Sequence, residues 1–301
     1  IVNDEPIRHL QDIVRVEGSS AWFARTTEEL IPPGLTCPKC GGTHFTKETD
    51  TMDVWFDSGS SWRAVIENRE GQKTPVDVYL EGSDQHRGWF NSSLCVAVAV
   101  RGQAPYKAVL THGFTLDDKG YKQSKSLGNT VDPLQVIKDM GADVLRLWVA
   151  STDYRSDMAA SPKIMKQVSE SYRKIRNTLR YLLGNLYDFD HHKDAVAYSD
   201  MPELDRWALI KLNRLIEKSI QAYDDYEFHV LYHSIHKFCV VDMSAFYLDV
   251  VKDCLYTEKA DDPRRRSVQT VLYRIADAMM RLLTPILAFT SEEVYSYMPK
   301  D

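Results

Sequence analysis

The spacing of apolar residues differs between the two halves of this chain. After about residue 155, apolar residues recur every three or four positions, as in 164–179, 228–238 and 272–286. Stripes of this kind predict amphipathic helices, each with one apolar face that must pack against a neighbour. Residues 156–301 are therefore predicted to form an all-α helical bundle.

Two capping patterns refine the ends of these helices. Ser161 and Pro162 suit the N-cap and first turn of the helix over 164–179. Thr290 followed by Glu293 predicts a capping box that opens the last helix.

Short apolar runs replace these stripes between about 75 and 150. Residues 76–80 and 106–110 predict strands, and 85–100 predict a helix between them. Strand, helix and strand at this spacing predict a parallel pair joined by a crossover. Polar clusters at 81–84 and 111–113 follow the two strands. Since ligands of such sheets bind beyond the carboxyl ends of the strands, the pattern places a binding site there.

The first 50 residues are predicted to be irregular, because Pro32, Pro33, Gly34 and Pro38 interrupt any long element. Cys37 and Cys40, followed by two glycines, form half of a zinc knuckle. A structural Zn²⁺ site needs four ligands, and only His44 lies near enough in sequence to add a third. The pattern predicts a half-site whose other ligands lie outside this chain. An idle pair of thiols is the alternative.

Composition narrows the class of protein. The chain has 301 residues, 44% hydrophobic and 27% charged, with a net charge of −6. This length predicts about two domains. The negative charge argues against a general nucleic-acid coat but allows a local basic patch. An apolar run of about eighteen residues and a signal peptide are both missing from the sequence, which predicts a cytoplasmic protein without a membrane partner. Five cysteines do not form a disulfide framework.

Candidate chemistry centres on the loop Lys122–Asn129, with the sequence Lys-Gln-Ser-Lys-Ser-Leu-Gly-Asn. Ammonium groups on flexible stems suit phosphate oxygens whose charge shifts during a reaction. Taken alone, the pattern favours a solvated basic turn, because short motifs often match by chance. Glu81, Asp84 and His112 also have ordinary explanations as surface or strand-end residues. Their predicted convergence on one sheet edge favours a site for a zwitterionic amino acid and a nucleoside triphosphate.

Several segments carry a family resemblance. Residues 122–126 resemble the lysine signature of class I aminoacyl-tRNA synthetases, usually Lys-Met-Ser-Lys-Ser. Segments 53–62, 80–90 and 141–148 resemble the isoleucine-specific members, and 80–90 differs from the valyl, leucyl and methionyl relatives. Residues 238–249 of the bundle fit the same family. The resemblance runs from about residue 50 to the C-terminus and is weaker before it.

The resemblance implies a domain order. Residues 1–50 would end an inserted connective region, and 51–155 would form the second half of a Rossmann-type α/β catalytic domain. Residues 156–301 would be the anticodon-binding bundle. The implied activity is that of a monomeric isoleucine–tRNA ligase. Isoleucine and ATP, with Mg²⁺, would give isoleucyl-adenylate, and the acyl group would pass to tRNA(Ile).

The resemblance also assigns roles to residues. Glu81, Gly82, Asp84 and Gln85 would line the aminoacyl-adenylate pocket, and His112 would lie near the nucleotide. Lys125 would stabilise the triphosphate in the transition state, helped by Lys122 and Ser124. In the bundle, Arg264, Arg265 and Arg266 would contact tRNA phosphates. A solvated charge run between helices is the alternative for these arginines.

Two departures from the family pattern matter. Gln123 replaces the usual methionine of the lysine signature, and no His-x-Gly-His signature occurs in the sequence. The first half of the nucleotide-binding fold is therefore expected to lie outside this chain, which would leave the chain alone inactive. Two alternatives stay open: a valine-specific relative, and a tRNA-binding protein without catalytic activity.

Overall fold

A computed structural model describes residues 3–299. Its first elements are the helices α1 (Asp4–Glu17), α2 (Ala21–Ala24) and α3 (Thr27–Leu30). The prediction of an irregular N-terminal segment was therefore wrong for residues 4–17. Ile7, Leu10 and Val14 fall at helical spacing there, and Gly18, with φ of 79°, ends the helix.

The α/β part begins with two short helices, α4 (Val54–Gly59) and α5 (Ser61–Ala64). They are followed by β1 (Val76–Gly82), α6 (Trp89–Arg101) and β2 (Tyr106–His112). The two strands pair in parallel, with Glu81 opposite Thr111 and Gly82 opposite His112. The predicted parallel pair and its crossover helix are confirmed. Each strand runs two residues further than predicted, which brings both polar clusters onto the pairing edge.

A second small sheet follows this pair along the chain. β3 (Thr115–Leu116) pairs in parallel with β4 (Met158–Ala159). The helices α7 (Pro133–Met140) and α8 (Ala142–Ser151) come between these strands in the chain. The lysine loop leaves the sheet at Leu116 and returns to α7, so its position depends on β3 and β4.

The bundle contains α9 (Pro162–Gly184), α10 (Glu203–Asp224), α11 (Phe228–Lys237), α12 (Leu248–Thr257), α13 (Pro263–Leu283) and α14 (Ala288–Tyr297). A π-helix, Phe238–Tyr247, joins α11 to α12. The Ser161 hydroxyl accepts a hydrogen bond from the Ile164 amide, which confirms the predicted N-cap of α9. Between residues 3 and 299, no helix is both long and apolar enough to cross a membrane.

The predicted capping box at Thr290 was wrong. Helix α14 begins at Ala288, so Thr290 lies inside its first turn. The Thr290 hydroxyl and amide donate to Oδ2 of the buried Asp143 at 2.6 and 2.8 Å. Thr290 therefore links α14 to α8 and does not cap a helix. The physical reason is that a buried carboxylate such as that of Asp143 must find hydrogen-bond donors within the protein.

A single apolar core crosses residue 155. Buried residues of α7 and α8, such as Leu147, belong to the same cluster as those of α9 to α14. Arg146 strengthens this junction, since its guanidinium donates to the carbonyls of Pro285 and Ile286 at 2.7 and 2.8 Å. The boundaries at 50 and 155 stay predictions, but the packing joins the lysine loop's supporting helices to the bundle.

Candidate active site and tRNA-binding surface

The paired strand ends bring three predicted site residues together. A Cβ atom on Gly82 would lie 2.6 Å from Asp84 Oδ1 and 3.7 Å from His112 Cε1. Gly82 is buried, while Asp84 is exposed and His112 is half-buried. A larger residue at position 82 would displace the Asp84 carboxylate from the histidine. The glycine therefore sets the closeness of a carboxylate and an imidazole at the carboxyl end of the sheet.

Glu81 and Gln85 flank this cluster differently. The Glu81 side chain is exposed, and its Oε1 accepts from the Gly82 amide at 3.0 Å. Gln85 Oε1 accepts from the Trp89 amide at 3.0 Å and so satisfies the first turn of α6. Glu81 is open to a ligand, whereas the Gln85 carbonyl already serves the helix.

The backbone of the next residue holds the His112 ring in one tautomer. Its Nδ1 lies 2.9 Å from the Gly113 carbonyl, which can only accept, so Nδ1 carries the proton. In the neutral ring, Nε2 is then an acceptor. A Cβ on Gly113 would lie 2.4 Å from the Ser156 backbone, so only glycine fits there. Sequence reasoning missed Gly113, although its place in the Thr-His-Gly cluster was a signal.

The lysine loop carries its cations at the surface. Lys125 begins the short 3₁₀ turn Lys125–Leu127, which Ser124 caps by accepting from the Leu127 amide. The Lys122 ammonium lies 3.6 Å from the centroid of the Phe114 ring, in cation–π contact. Within residues 3–299, neither ammonium has a carboxylate in ion-pair range. Both cations are thus available to an anionic ligand.

Hydrogen bonds to the Asp117 carboxylate stabilise the lysine loop. Asp117 accepts from the Asn129 amide nitrogen at 2.8 Å and from the Lys119 and Tyr121 backbone amides at 2.9 Å. These hydrogen bonds, that from Asn129 foremost, lower the pKa of Asp117 below its ordinary value. Asn129 Oδ1 in turn accepts from the Ser124 amide at 2.9 Å. Sequence reasoning missed Asp117 and Asn129 as supports, because their partners lie up to twelve residues away along the chain.

The Cys37 and Cys40 pair lies in a tight turn. The Cys37 carbonyl accepts from the Gly41 amide at 2.8 Å, and the Cys37 amide donates to Gly42 at 2.9 Å. Backbone amides of Lys39 and Cys40 face the Cys37 sulfur and lower the pKa of its thiol. In the described part of the chain, no three His, Cys, Asp or Glu side chains are placed to hold a metal, so His44 does not complete a site. The turn suits two thiolate ligands of a tetrahedral site and no more.

Two of the three arginines predicted to bind tRNA face the protein interior. Arg265 is 4% exposed, and its guanidinium donates to both Asp188 oxygens, at 2.6 and 3.0 Å. Arg266 donates to the Asp188 carbonyl at 2.8 Å. The structure leaves only Arg264 exposed for a phosphate. The alternative of a solvated charge run is also wrong for Arg265, because its guanidinium is buried against the half-buried Asp188 carboxylate.

A groove of ≈ 500 Å³ between α9 and α14 offers a different basic surface. Arg176 and Arg180, one turn apart on α9, line it together with Tyr187 and Tyr297. The two tyrosines are 82% and 70% exposed. Arg176 also lies 3.4 Å from Glu293. Guanidinium groups beside exposed aromatic rings suit phosphates and unpaired bases. The i, i+4 spacing of the arginines was the available sequence signal.

The chain matches two known protein families. The family tRNA synthetases class I (I, L, M and V) matches residues 1–161, and the anticodon-binding domain of tRNA ligase matches residues 205–301. The first match covers more than half of the 301 residues. This chain belongs to the class I tRNA synthetases of the isoleucine, leucine, methionine and valine group.

Similar curated proteins carry the name isoleucine–tRNA ligase. Isoleucine–tRNA ligase of Carboxydothermus hydrogenoformans is 64% identical over 99% of this chain and 33% of its own length. Isoleucine–tRNA ligase of Moorella thermoacetica is 63% identical over 99% of this chain and 32% of its own length. The chain spans about a third of these relatives.

Solved structures share the fold at lower identity. The Agrobacterium radiobacter K84 agnB2 LeuRS–tRNA–LeuAMS complex matches with a TM-score of 0.65 at 20% identity, over 89% of this chain and 33% of that one. Mycobacterium tuberculosis methionyl-tRNA synthetase with methionyl-adenylate matches with a TM-score of 0.66 at 18% identity, over 80% of this chain and 49% of that one. The predicted order of an α/β part followed by a helical bundle is thereby confirmed.

Proposed function

We propose that this chain supplies the lysine-loop half of the catalytic site and the anticodon-binding bundle of an isoleucine–tRNA ligase. The observation that carries the proposal is the paired strand edge, where Gly82, Asp84 and His112 lie together. The loop that follows β3 adds two ammonium groups that have no carboxylate in ion-pair range within residues 3–299. Relatives named isoleucine–tRNA ligase at 57–64% identity support the choice of amino acid.

The chemistry follows from charge and position. Glu81 and Asp84 would attract the ammonium group of isoleucine, while its carboxylate attacks the α-phosphorus of ATP and pyrophosphate leaves. Lys125, with Lys122, would stabilise the negative charge that shifts onto the leaving pyrophosphate. His112 Nε2 would accept a hydrogen bond from the nucleotide. No covalent intermediate with the protein is needed, so catalysis rests on orientation and electrostatic stabilisation.

The remaining partners belong to the same proposal. Mg²⁺ would accompany ATP, and the acyl group would pass to tRNA(Ile). Cys37 and Cys40 would supply two thiolates to Zn²⁺, with the other ligands from outside this chain. The pKa lowering of Cys37 by backbone amides supports this role, because the thiolate is the ligand. A monomeric state and a cytoplasmic location stay predictions from the sequence.

The decisive assay is amino-acid-dependent exchange of pyrophosphate into ATP. A full-length chain that contains these 301 residues is expected to catalyse exchange with isoleucine, and the 301 residues alone are expected not to. Exchange that depends on valine with a higher kcat/KM than on isoleucine would favour the valine-specific alternative. Absence of exchange with retained tRNA binding would favour the non-catalytic one.

The groove between α9 and α14 leads to a prediction on tRNA binding. Arg180→Ala is expected to weaken tRNA(Ile) binding about tenfold and to reduce the slope of log affinity against log salt by about one, as for one lost phosphate contact. Filter binding across a salt series measures both quantities. Arg281→Ala is the matched control, since Arg281 is exposed and pairs within α13 with Asp277 at 2.9 Å. Equal losses in the two variants would contradict a specific role for the groove.

A further inference from the structure

The side chain of Gln123 joins three separate segments around the lysine loop. Its Nε2 donates to the carbonyls of Leu116 at 3.3 Å and Ala160 at 3.0 Å. Its Oε1 accepts from the Val131 amide at 3.2 Å. Leu116 lies in β3, Ala160 directly follows β4, and Val131 lies on the returning limb of the loop. All polar atoms of this half-buried carboxamide are therefore used in fixing backbone.

These contacts bear on both limbs of the loop. The outgoing limb is also held by the Gln123 amide, which donates to the Thr115 carbonyl at 2.8 Å, and by an antiparallel bridge between Leu116 and Lys122. The returning limb has the Val131 contact with the same side chain. Lys122 adjoins Gln123 and Lys125 follows two residues later, so displacement of this side chain moves both ammonium groups.

A methionine at this position could fill the same space but could form none of these hydrogen bonds. The Val131 amide and the Ala160 carbonyl would then lose this hydrogen-bond partner. Ala160 is only 3% exposed, so its carbonyl would be left unpaired in a buried position. Leaving a buried polar group unpaired costs more than the bond itself contributes. The loop in this chain is thus held to the sheet by polar contacts rather than by apolar packing.

We propose that Gln123 is a positioning residue, whose carboxamide ties both limbs of the lysine loop to the β3–β4 sheet and thereby sets where Lys125 meets the triphosphate. This inference rests on the proposed function for its catalytic consequence. Its structural content, the tethering of the loop, does not depend on that function.

Hydrogen–deuterium exchange of a full-length chain separates tethering from packing. Gln123→Met keeps the length and nearly the volume of the side chain, and Gln123→Ala removes both. Both variants are expected to speed exchange of amides in 117–131 by about tenfold, with protection of α6 and the bundle unchanged. Gln135→Met is the control, because among the described residues the Gln135 side chain hydrogen-bonds to Asp139 of the same helix alone, at 2.9 Å.

Kinetics then test the consequence for catalysis. In both Gln123 variants, kcat for isoleucine-dependent ATP–pyrophosphate exchange is expected to fall about tenfold, with the KM for isoleucine unchanged. Wild-type protection and kcat in Gln123→Met would overturn the proposal, since packing alone would then hold the loop. Loss of protection throughout the chain would also overturn it. If the unsubstituted chain shows no exchange, the proposed function fails, while the deuterium comparison still decides the role of Gln123.

Discussion

Lys125→Ala in a full-length chain is expected to slow isoleucyl-adenylate formation by about two to three orders of magnitude. Lys125 is exposed on a 3₁₀ turn, and within residues 3–299 it has no carboxylate partner. Its charge is therefore not needed for folding and is free to act on a phosphate. Single-turnover measurement of adenylate formation reports this step directly, and the KM for isoleucine should stay constant.

The matched control for this prediction is Lys119→Ala. Lys119 is an exposed lysine three residues before the lysine loop, and its backbone amide donates to Asp117. Its substitution should leave adenylate formation within about twofold, because Lys119 lies outside the lysine loop and an exposed charge in water is largely screened. Affinity for tRNA should be nearly constant in both variants. An unchanged rate in Lys125→Ala would remove the role given to this residue.

Arg265→Ala is expected to lower the free energy of unfolding by about 3–5 kcal/mol. The guanidinium is almost fully buried and forms a bidentate pair with Asp188. Its removal leaves a carboxylate with a side-chain exposure of 21% that keeps Gln269 but loses its main cation. Urea unfolding followed by circular dichroism measures the change. Arg264→Ala, at the exposed neighbour, should cost less than about 0.5 kcal/mol.

The free energy of unfolding lost in Arg265→Ala is expected to depend on pH. Burial alone raises the pKa of Asp188. Hydrogen bonds from Arg265 and Gln269, together with the charges of Arg265 and Arg266, outweigh burial and leave the pKa below its ordinary value. A lowered pKa contributes stability that is present above the unfolded-state value of about 3.9 and is lost as pH falls through the folded-state value. The difference between the unsubstituted chain and Arg265→Ala should therefore be largest near neutral pH and shrink below about pH 4. A difference independent of pH would contradict the ion pair as its cause.

Arg265 also shows how a charged run can mislead. Three consecutive arginines predict either a phosphate contact or a solvated surface, because the sequence alone does not distinguish which of them is exposed to water. Helix α13 places successive residues about 100° apart, so the three cannot share one environment. Arg264 faces outward, whereas Arg265 and Arg266 face Asp188. A variant of Arg265 that folds normally but loses tRNA affinity would restore the original prediction.

The paired strand ends, by contrast, were predictable. Alternating short apolar runs and a helix of the right length between them fix a parallel pair, and the residues that follow such strands necessarily meet at one edge. The sequence therefore predicts that Gly82 and His112 are neighbours, and the strand register confirms it. The residue types of the lysine loop, cations and hydroxyls without apolar periodicity, also predict a surface position, and Lys122 and Lys125 are exposed.

The sequence by itself determined the parts of this protein that depend on local periodicity. These are the helices of the bundle, the strand–helix–strand unit, and the residue types offered to a phosphate. Tertiary structure alone decided which polar side chains face a ligand and which face the protein. Thr290 donates a hydrogen bond to Asp143, Arg265 pairs with Asp188, and Gln123 joins β3, the residue after β4 and the loop. The physical reason is that a buried polar group takes whatever partner the packing brings near, and that partner can lie more than a hundred residues away.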